Sequence, residues 1–321
     1  MPAPEAQRGS RLLDREPTAF LGAVVRGVGQ VDLQSRMLTG ALLLAGLWVA
    51  GWRIGLFATL GTAVSTATAR VLGMDRDDTA AGLLGYSGCL TGIALVTSLG
   101  AHPGTYLLAV GGSVLATVLT ASLTTLLEPY GLTALTAPFC LISGVMVLGA
   151  PSFDRIWHGD PNPVAAPTSG DTAVAWSDLW HGFFSGVSQV FFVETWYVGL
   201  IMLAGLAFAG VRVLLGAALG SAAGILTAWA LGAPSGLIAN GIYGYNAVLV
   251  GIALGAVFLD ATVGNALYAL LGAAAATGLT ASLTSLFKPF GGHTFTWPFI
   301  LTTWALMAAV PRIPRLQRAT P

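Results

Sequence analysis

Charge is what this chain has least of. Only 9% of its residues are Asp, Glu, Lys or Arg, against about 25% in a soluble domain. By contrast, 55% are hydrophobic, and the mean hydropathy is +0.77. So few charges cannot coat a globule of 321 residues. Between Thr79 and Gly149 the one charged residue is Glu128, and between Val213 and Phe287 it is Asp260. Each stretch has room for several apolar spans of about 20 residues. The chain is therefore expected to lie in a lipid bilayer and cross it many times.

Other absences narrow the function. Formal net charge is +0, which offers no electrostatic case for a nucleic-acid partner. The two cysteines, Cys89 and Cys140, sit inside apolar segments and suggest no disulfide framework. The start of the chain lacks the apolar core of a cleavable signal peptide, and residues 1–18 read as a disordered tail. No His, Cys, Asp and Glu cluster has metal-ligand spacing. No glycine-rich phosphate loop or Ser-His-Asp arrangement is visible. Neither an enzyme nor a cofactor or metal is expected.

Glycine, in contrast, is plentiful at 42 residues, as suits helices that approach closely in lipid. The chain is also one unit written twice. Gly27-Val-Gly-Gln-Val31 returns as Gly186-Val-Ser-Gln-Val190, and Gly85-Tyr86 as Gly244-Tyr245. Gly92-Ile-Ala-Leu95 returns as Gly251-Ile-Ala-Leu254, all three pairs 159 positions apart. Leu119-Thr-Ala-Ser-Leu-Thr124 recurs unchanged at Leu279, and Thr136-Ala-Pro-Phe139 answers Thr296-Trp-Pro-Phe299, both 160 apart. One net insertion over a whole half marks a duplication.

The halves run over 19–150 and 177–312, joined by a linker at 151–176 whose Pro161, Pro163 and Pro167 are loop composition; a tail follows at 313–321. Each half has six apolar stretches: 17–31, 36–52, 54–72, 79–99, 104–127 and 131–149, then 177–192, 195–210, 211–231, 237–259, 263–286 and 293–311. Arg8, Arg11 and Arg15 precede the first half and Arg312, Arg315 and Arg318 follow the second. That bias puts both termini in the cytoplasm and the linker outside. Each half then crosses an odd number of times, so one of its six stretches only partly spans and the halves are inverted. Inverted repeats with broken elements place a solute site between them, near mid-membrane.

Three doubled motifs are candidates for that site. Gln30 and Gln189 are uncharged amides in apolar segments, and an unpaired amide in hydrocarbon costs roughly 2–7 kcal/mol. They serve either as caps and interhelical bonds or as pore-lining groups. Val31 and Val190 follow them, then Leu33 and Phe192, which suits a narrow, mostly dry slot. Next, Gly85-Tyr86 and Gly244-Tyr245 either pack helices through glycine or break them against a cavity. In the second case Tyr86 and Tyr245 form faces for a flat solute, with Leu90 and Leu249 four residues on along the same face. Last, Pro138 and Pro298, read as lying within helices, would each free a carbonyl. Thr136 and Thr296 then either satisfy those carbonyls or point hydroxyls into the pore. Glu194 stands where the first half has Ser35 and is assigned to an interface; Asp260 is expected to end a helix.

In their order and doubling, these motifs resemble the urea transporter family from about Phe20 to Val310. The resemblance implies two inverted halves, each with five spanning helices and one tilted, partly spanning helix. It further implies a homotrimer in the plasma membrane with one pore per subunit and passive flow of urea. Gln30 and Gln189 would bind urea at the two ends of a filter, and Thr136 and Thr296 would line its waist. Val31, Leu33, Tyr86, Leu90, Val190, Phe192, Tyr245 and Leu249 would form its walls. Two departures stand out: the rings at Tyr86 and Tyr245 carry hydroxyls that need partners, and Ser87 replaces the counterpart of Asn246. A channel for ammonia, short amides or water, and a non-conducting scaffold, are the competing readings.

Overall fold

The computed structural model describes residues 16–158 and 170–319. The tail arginines Arg8, Arg11 and Arg15 and the linker prolines lie outside them. Among the described residues the chain is helical, with one isolated antiparallel bridge between Leu259 and Arg318.

The first half contains α1 (Glu16–Gln30), α2 (Met37–Ala50), α3 (Trp52–Val71), α4 (Arg76–Ala81), α5 (Tyr86–Leu99), α6 (Pro103–Leu127) and α7 (Ala137–Gly149). The second repeats them in order as α8 (Trp176–Ser188), α9 (Trp196–Ala209), α10 (Val211–Ala230), α11 (Ser235–Ala239), α12 (Tyr245–Ile252), α13 (Val263–Phe287) and α14 (Trp297–Ala309). The extra residue of the second half coincides with a π-helical turn, Ala253–Val257, at the end of α12. A widened turn accommodates an insertion without ending the helix.

Among the described residues, four helices are long and apolar enough to cross a membrane unaided: Trp52–Val71, Pro103–Tyr130, Val211–Ala230 and Val263–Phe290. The rest are shorter and meet at breaks. The segment through α8 and α9 bends by 75°. The apolar stretch 79–99 is split at Gly82, whose φ of 84° closes α4 in the left-handed region. The stretch 131–149 becomes helical only at Ala137. Pro138 and Pro298 therefore occupy the first turn of α7 and α14 rather than a helix interior. There, proline's missing N–H removes no bond, so the expected freed carbonyls do not arise.

Glycine sets how closely the helices pack. A methyl on Gly61 would overlap the carbonyl of Gly88, and one on Gly220 would overlap that of Ala247. The long helices α3 and α10 thus lie backbone to backbone on α5 and α12, the helices that begin at the two tyrosines. Outward-facing side chains stay apolar: Leu107 is 76% exposed, Val145 71% and Leu267 62%. Such a surface belongs against lipid or another apolar partner.

Helix ends show how the halves sit. The start of α6 abuts the linker, with Gly104 beside the Arg155 carbonyl. Past its other end, Gly131 accepts a bond from Arg318 of the C-terminal segment at 3.4 Å. The start of α13 lies beside that same segment, because Asn265 donates to the Gln317 carbonyl at 3.0 Å. Counterpart helices α6 and α13, each about 38 Å long, therefore run in opposite directions. The segment up to Ala319 is tied down as well: Asp260 N–H donates to Gln317 and Ala319 N–H to Phe258.

Candidate functional site

The N-termini of α7 and α14 meet in the interior. Thr136 and Thr296 precede them, are almost fully buried, and bring their hydroxyls to 2.6 Å of each other. Neither hydroxyl caps its own helix. The Cys140 thiol lies 3.2 Å from the Thr296 oxygen. Two helix N-termini aimed at one point place positive dipole ends there.

On either side of this hydroxyl pair the backbone is strained in the same way. Among the described residues, four non-glycine residues have positive φ: Leu33 (61°), Leu135 (47°), Phe192 (62°) and Phe295 (44°). They form two counterpart pairs. Left-handed non-glycine residues each cost on the order of 1–3 kcal/mol and gather at functional sites. Leu33 and Phe192 make the turns after α1 and α8. Leu135 and Phe295 precede the threonines.

The tyrosine hydroxyls have partners after all. Tyr86 donates to the Leu135 carbonyl at 2.6 Å, and Tyr245 to the Phe295 carbonyl at 2.6 Å. Each bond fixes a left-handed carbonyl next to a threonine. A carbonyl has two lone pairs, so each can accept a second donor. Leu90 and Leu249, one helical turn beyond the tyrosines, are fully buried.

The glutamines sit at the ends of α1 and after α8, both nearly buried. Gln30 donates from Nε2 to the Ala81 carbonyl at 3.0 Å. The Gln189 Oε1 is buried with no hydrogen-bond partner, an acceptor without a donor. Val31 and Val190 are buried beside them.

Around the second-half turn, three rings stand edge to face. Phe139 lies 6.0 Å from Phe192 and 5.2 Å from Phe295, and Phe192 lies 5.7 Å from Phe295 at 88°. At the matching first-half positions Leu33 and Leu135 stand in place of two of those rings. Val31, Tyr86, Leu90, Val190, Tyr245 and Leu249 join one buried apolar cluster, with Leu33 and Phe192 packed against it. The tyrosine bonds tie that cluster to the carbonyls beside the threonines, whereas Gln30 bonds instead to Ala81.

Sequence reasoning missed several participants. Leu135 and Phe295 carry no chemistry of their own; their doubled position before each Thr-x-Pro-Phe was the signal. Asn246 proves to be a brace, donating to Thr280 at 3.0 Å and accepting from the Phe299 N–H at 3.2 Å. Ser87 accepts from Thr120 at 3.3 Å at the corresponding place. Asp32 follows Val31 and is buried with neither carboxyl oxygen bonded; its counterpart is Phe191. Glu194 is exposed and accepts from Asn240 at 3.0 Å. Asp260, expected to end a helix, lies instead in the loop between the π-helical turn, which closes at Val257, and α13.

The family model described as urea transporter matches residues 21–311, nearly the whole chain. The chain belongs to the urea transporter family. Among its relatives, Urea transporter 1 of Ovis aries is 30% identical over 307 residues, covering 93% of this chain and 79% of that protein. Urea transporter 1 of Rattus norvegicus is 29% identical over the same shares. The family match spans both halves and every candidate residue, from Gln30 in α1 to Thr296 before α14.

Proposed function

We propose that the protein is a passive urea channel, with Gln30 and Gln189 at the ends of a slot and the Thr136–Thr296 pair at its waist. The observation that carries this reading is the bonded hydroxyl pair, buried between two fixed carbonyls in otherwise apolar surroundings. Urea is flat and neutral and has four N–H donors in one plane. The Gln189 Oε1, the two threonine oxygens and the Leu135 and Phe295 carbonyls are acceptors that would replace its lost water. Valine, leucine and aromatic side chains would close on its faces. Converging helix N-termini disfavour cations. Binding at each point has to stay weak, since a conducting site must release what it admits.

The opposed directions of α6 and α13 support inverted halves, with the linker and the C-terminal segment on opposite faces of the membrane. The arginine bias at both ends of the sequence supports cytoplasmic termini, and the family resemblance supports a plasma-membrane location. The exposed apolar flanks are suited to lipid and to assembly of three copies, each with its own pore.

Vesicles reconstituted with the protein should equilibrate a urea gradient far faster than protein-free vesicles. Run in the same vesicles, acetamide, ammonia and water should move more slowly relative to urea. Equal urea rates with and without protein overturn the proposal. Faster movement of one of the other solutes would transfer it to a different neutral-solute channel.

A further inference from the structure

A groove on the second half opens where three side chains fill the matching place in the first. In the first half Phe57 is fully buried and packs on Tyr106, ring centroids 4.6 Å apart, with Val96 in the same cluster. The repeat replaces these three by Gly216, Ala266 and Gly255. The vacated space is a cavity of about 340 Å³ lined by those residues. Its floor is the backbone of α12, the helix that carries Tyr245 and Leu249.

The groove has a charged end and an apolar body. Arg212 and Asp260 both line it, on the face where Gln317 and the C-terminal segment pack. Arg212 donates one bond to the Leu259 carbonyl at 2.8 Å, and its buried Nε has no acceptor. No ion pair joins it to Asp260. Gly220, which also lines the cavity, lies about 12 Å deeper along α10. The two unpaired opposite charges are therefore at headgroup level, with an apolar channel leading inward.

We propose that this groove binds one phospholipid with a zwitterionic, ammonium-bearing headgroup. Its phosphate meets Arg212, its ammonium meets Asp260, and part of one acyl chain fills the space left by the missing rings. Charge complementarity selects this occupant over a second copy of the chain, which would have to bury both charges. Long cationic side chains at a membrane boundary commonly reach the headgroup layer in this way. The inference is independent of which solute the pore conducts.

The test loads the full-length protein from vesicles of equal phosphatidylethanolamine and phosphatidylglycerol, then counts retained lipid by native mass spectrometry. Wild type should keep the ethanolamine lipid in preference. Ala266→Tyr restores the first-half ring on an exposed helix face and should lower retention at least about fivefold, as should Arg212→Gln. Asp260→Asn should abolish the preference between the two lipids. Thermal unfolding confirms that each variant is folded, and Arg212→Gln serves if the ring variant is not. Equal retention throughout, or no preference in wild type, overturns the proposal. So does dissociation of copies in Ala266→Tyr, which would hand the groove to a second chain.

Discussion

The two halves share a backbone but not a filling. Where the candidate site lies, they agree closely: two tyrosines give two 2.6 Å bonds to two left-handed carbonyls, and two threonines meet. In the side chains around those bonds, and farther out, they diverge. Phe192 and Phe295 answer Leu33 and Leu135, Asn246 answers Ser87, and Gly216 with Ala266 answers Phe57 with Tyr106. The duplicated sequence kept its symmetry in the groups that make the bonds at the waist and in the glycines that let helices touch. It lost that symmetry in several side chains that fill the space around them.

The comparison breaks most severely at the shared glycines. Gly61→Ala and Gly220→Ala each drive a methyl into a backbone carbonyl that cannot move aside. Both should abolish recovery of folded protein from the membrane, equally in the two halves. Gly111→Ala, which meets nothing within 4 Å, should be recovered like wild type. Good yields of either packing variant would show that backbone contact is not what joins α3 to α5 or α10 to α12.

A smaller effect concerns the tyrosines. Tyr86→Phe and Tyr245→Phe each leave a buried carbonyl unsatisfied, a loss of about 1 kcal/mol or somewhat more. Thermal unfolding in detergent should fall by the same amount for each. Unequal shifts would mean that the matched bonds are not matched in energy.

The smallest effect separates the halves. Asn246→Ser removes the acceptor that holds the Phe299 N–H of α14 and should cost about 0.5–1 kcal/mol. Ser87→Asn, which supplies the missing brace to α7, should cost nothing or stabilise by a few tenths of a kcal/mol. The same melting experiment checks both. Destabilisation by Ser87→Asn would show that the first half has packed around its serine.

Much of this was legible beforehand, for physical reasons. Duplication survives as identical short strings, and scarcity of charge gives the solvent away. The long spans were readable because α3, α6, α10 and α13 are continuous and apolar. Breaks were less so: the Gly85-Tyr86 and Gly244-Tyr245 strings left one open, but nothing in Leu-Thr-Ala-Leu135 said that the stretch would stay out of helix until Ala137. A proline reads alike inside a helix and at its first turn, so the roles of Pro138 and Pro298 waited on the structure. The tyrosine hydroxyls found carbonyls some 50 positions away, a distance over which sequence spacing carries no signal. Asp32 was hidden for the same reason: its burial is decided by the helices packed on it, not by its neighbours in the chain.

The most direct test lies at the waist. Thr136→Val with Thr296→Val removes both hydroxyls together and keeps the side-chain shape, so neither threonine is left facing an empty partner and the Cys140 thiol, a weak donor, loses its contact. In stopped-flow measurements on reconstituted vesicles, urea permeability should fall on the order of thirtyfold, two lost sites at about 1 kcal/mol each, with the double variant still folded. Urea permeability equal to wild type in the folded double variant would contradict the account.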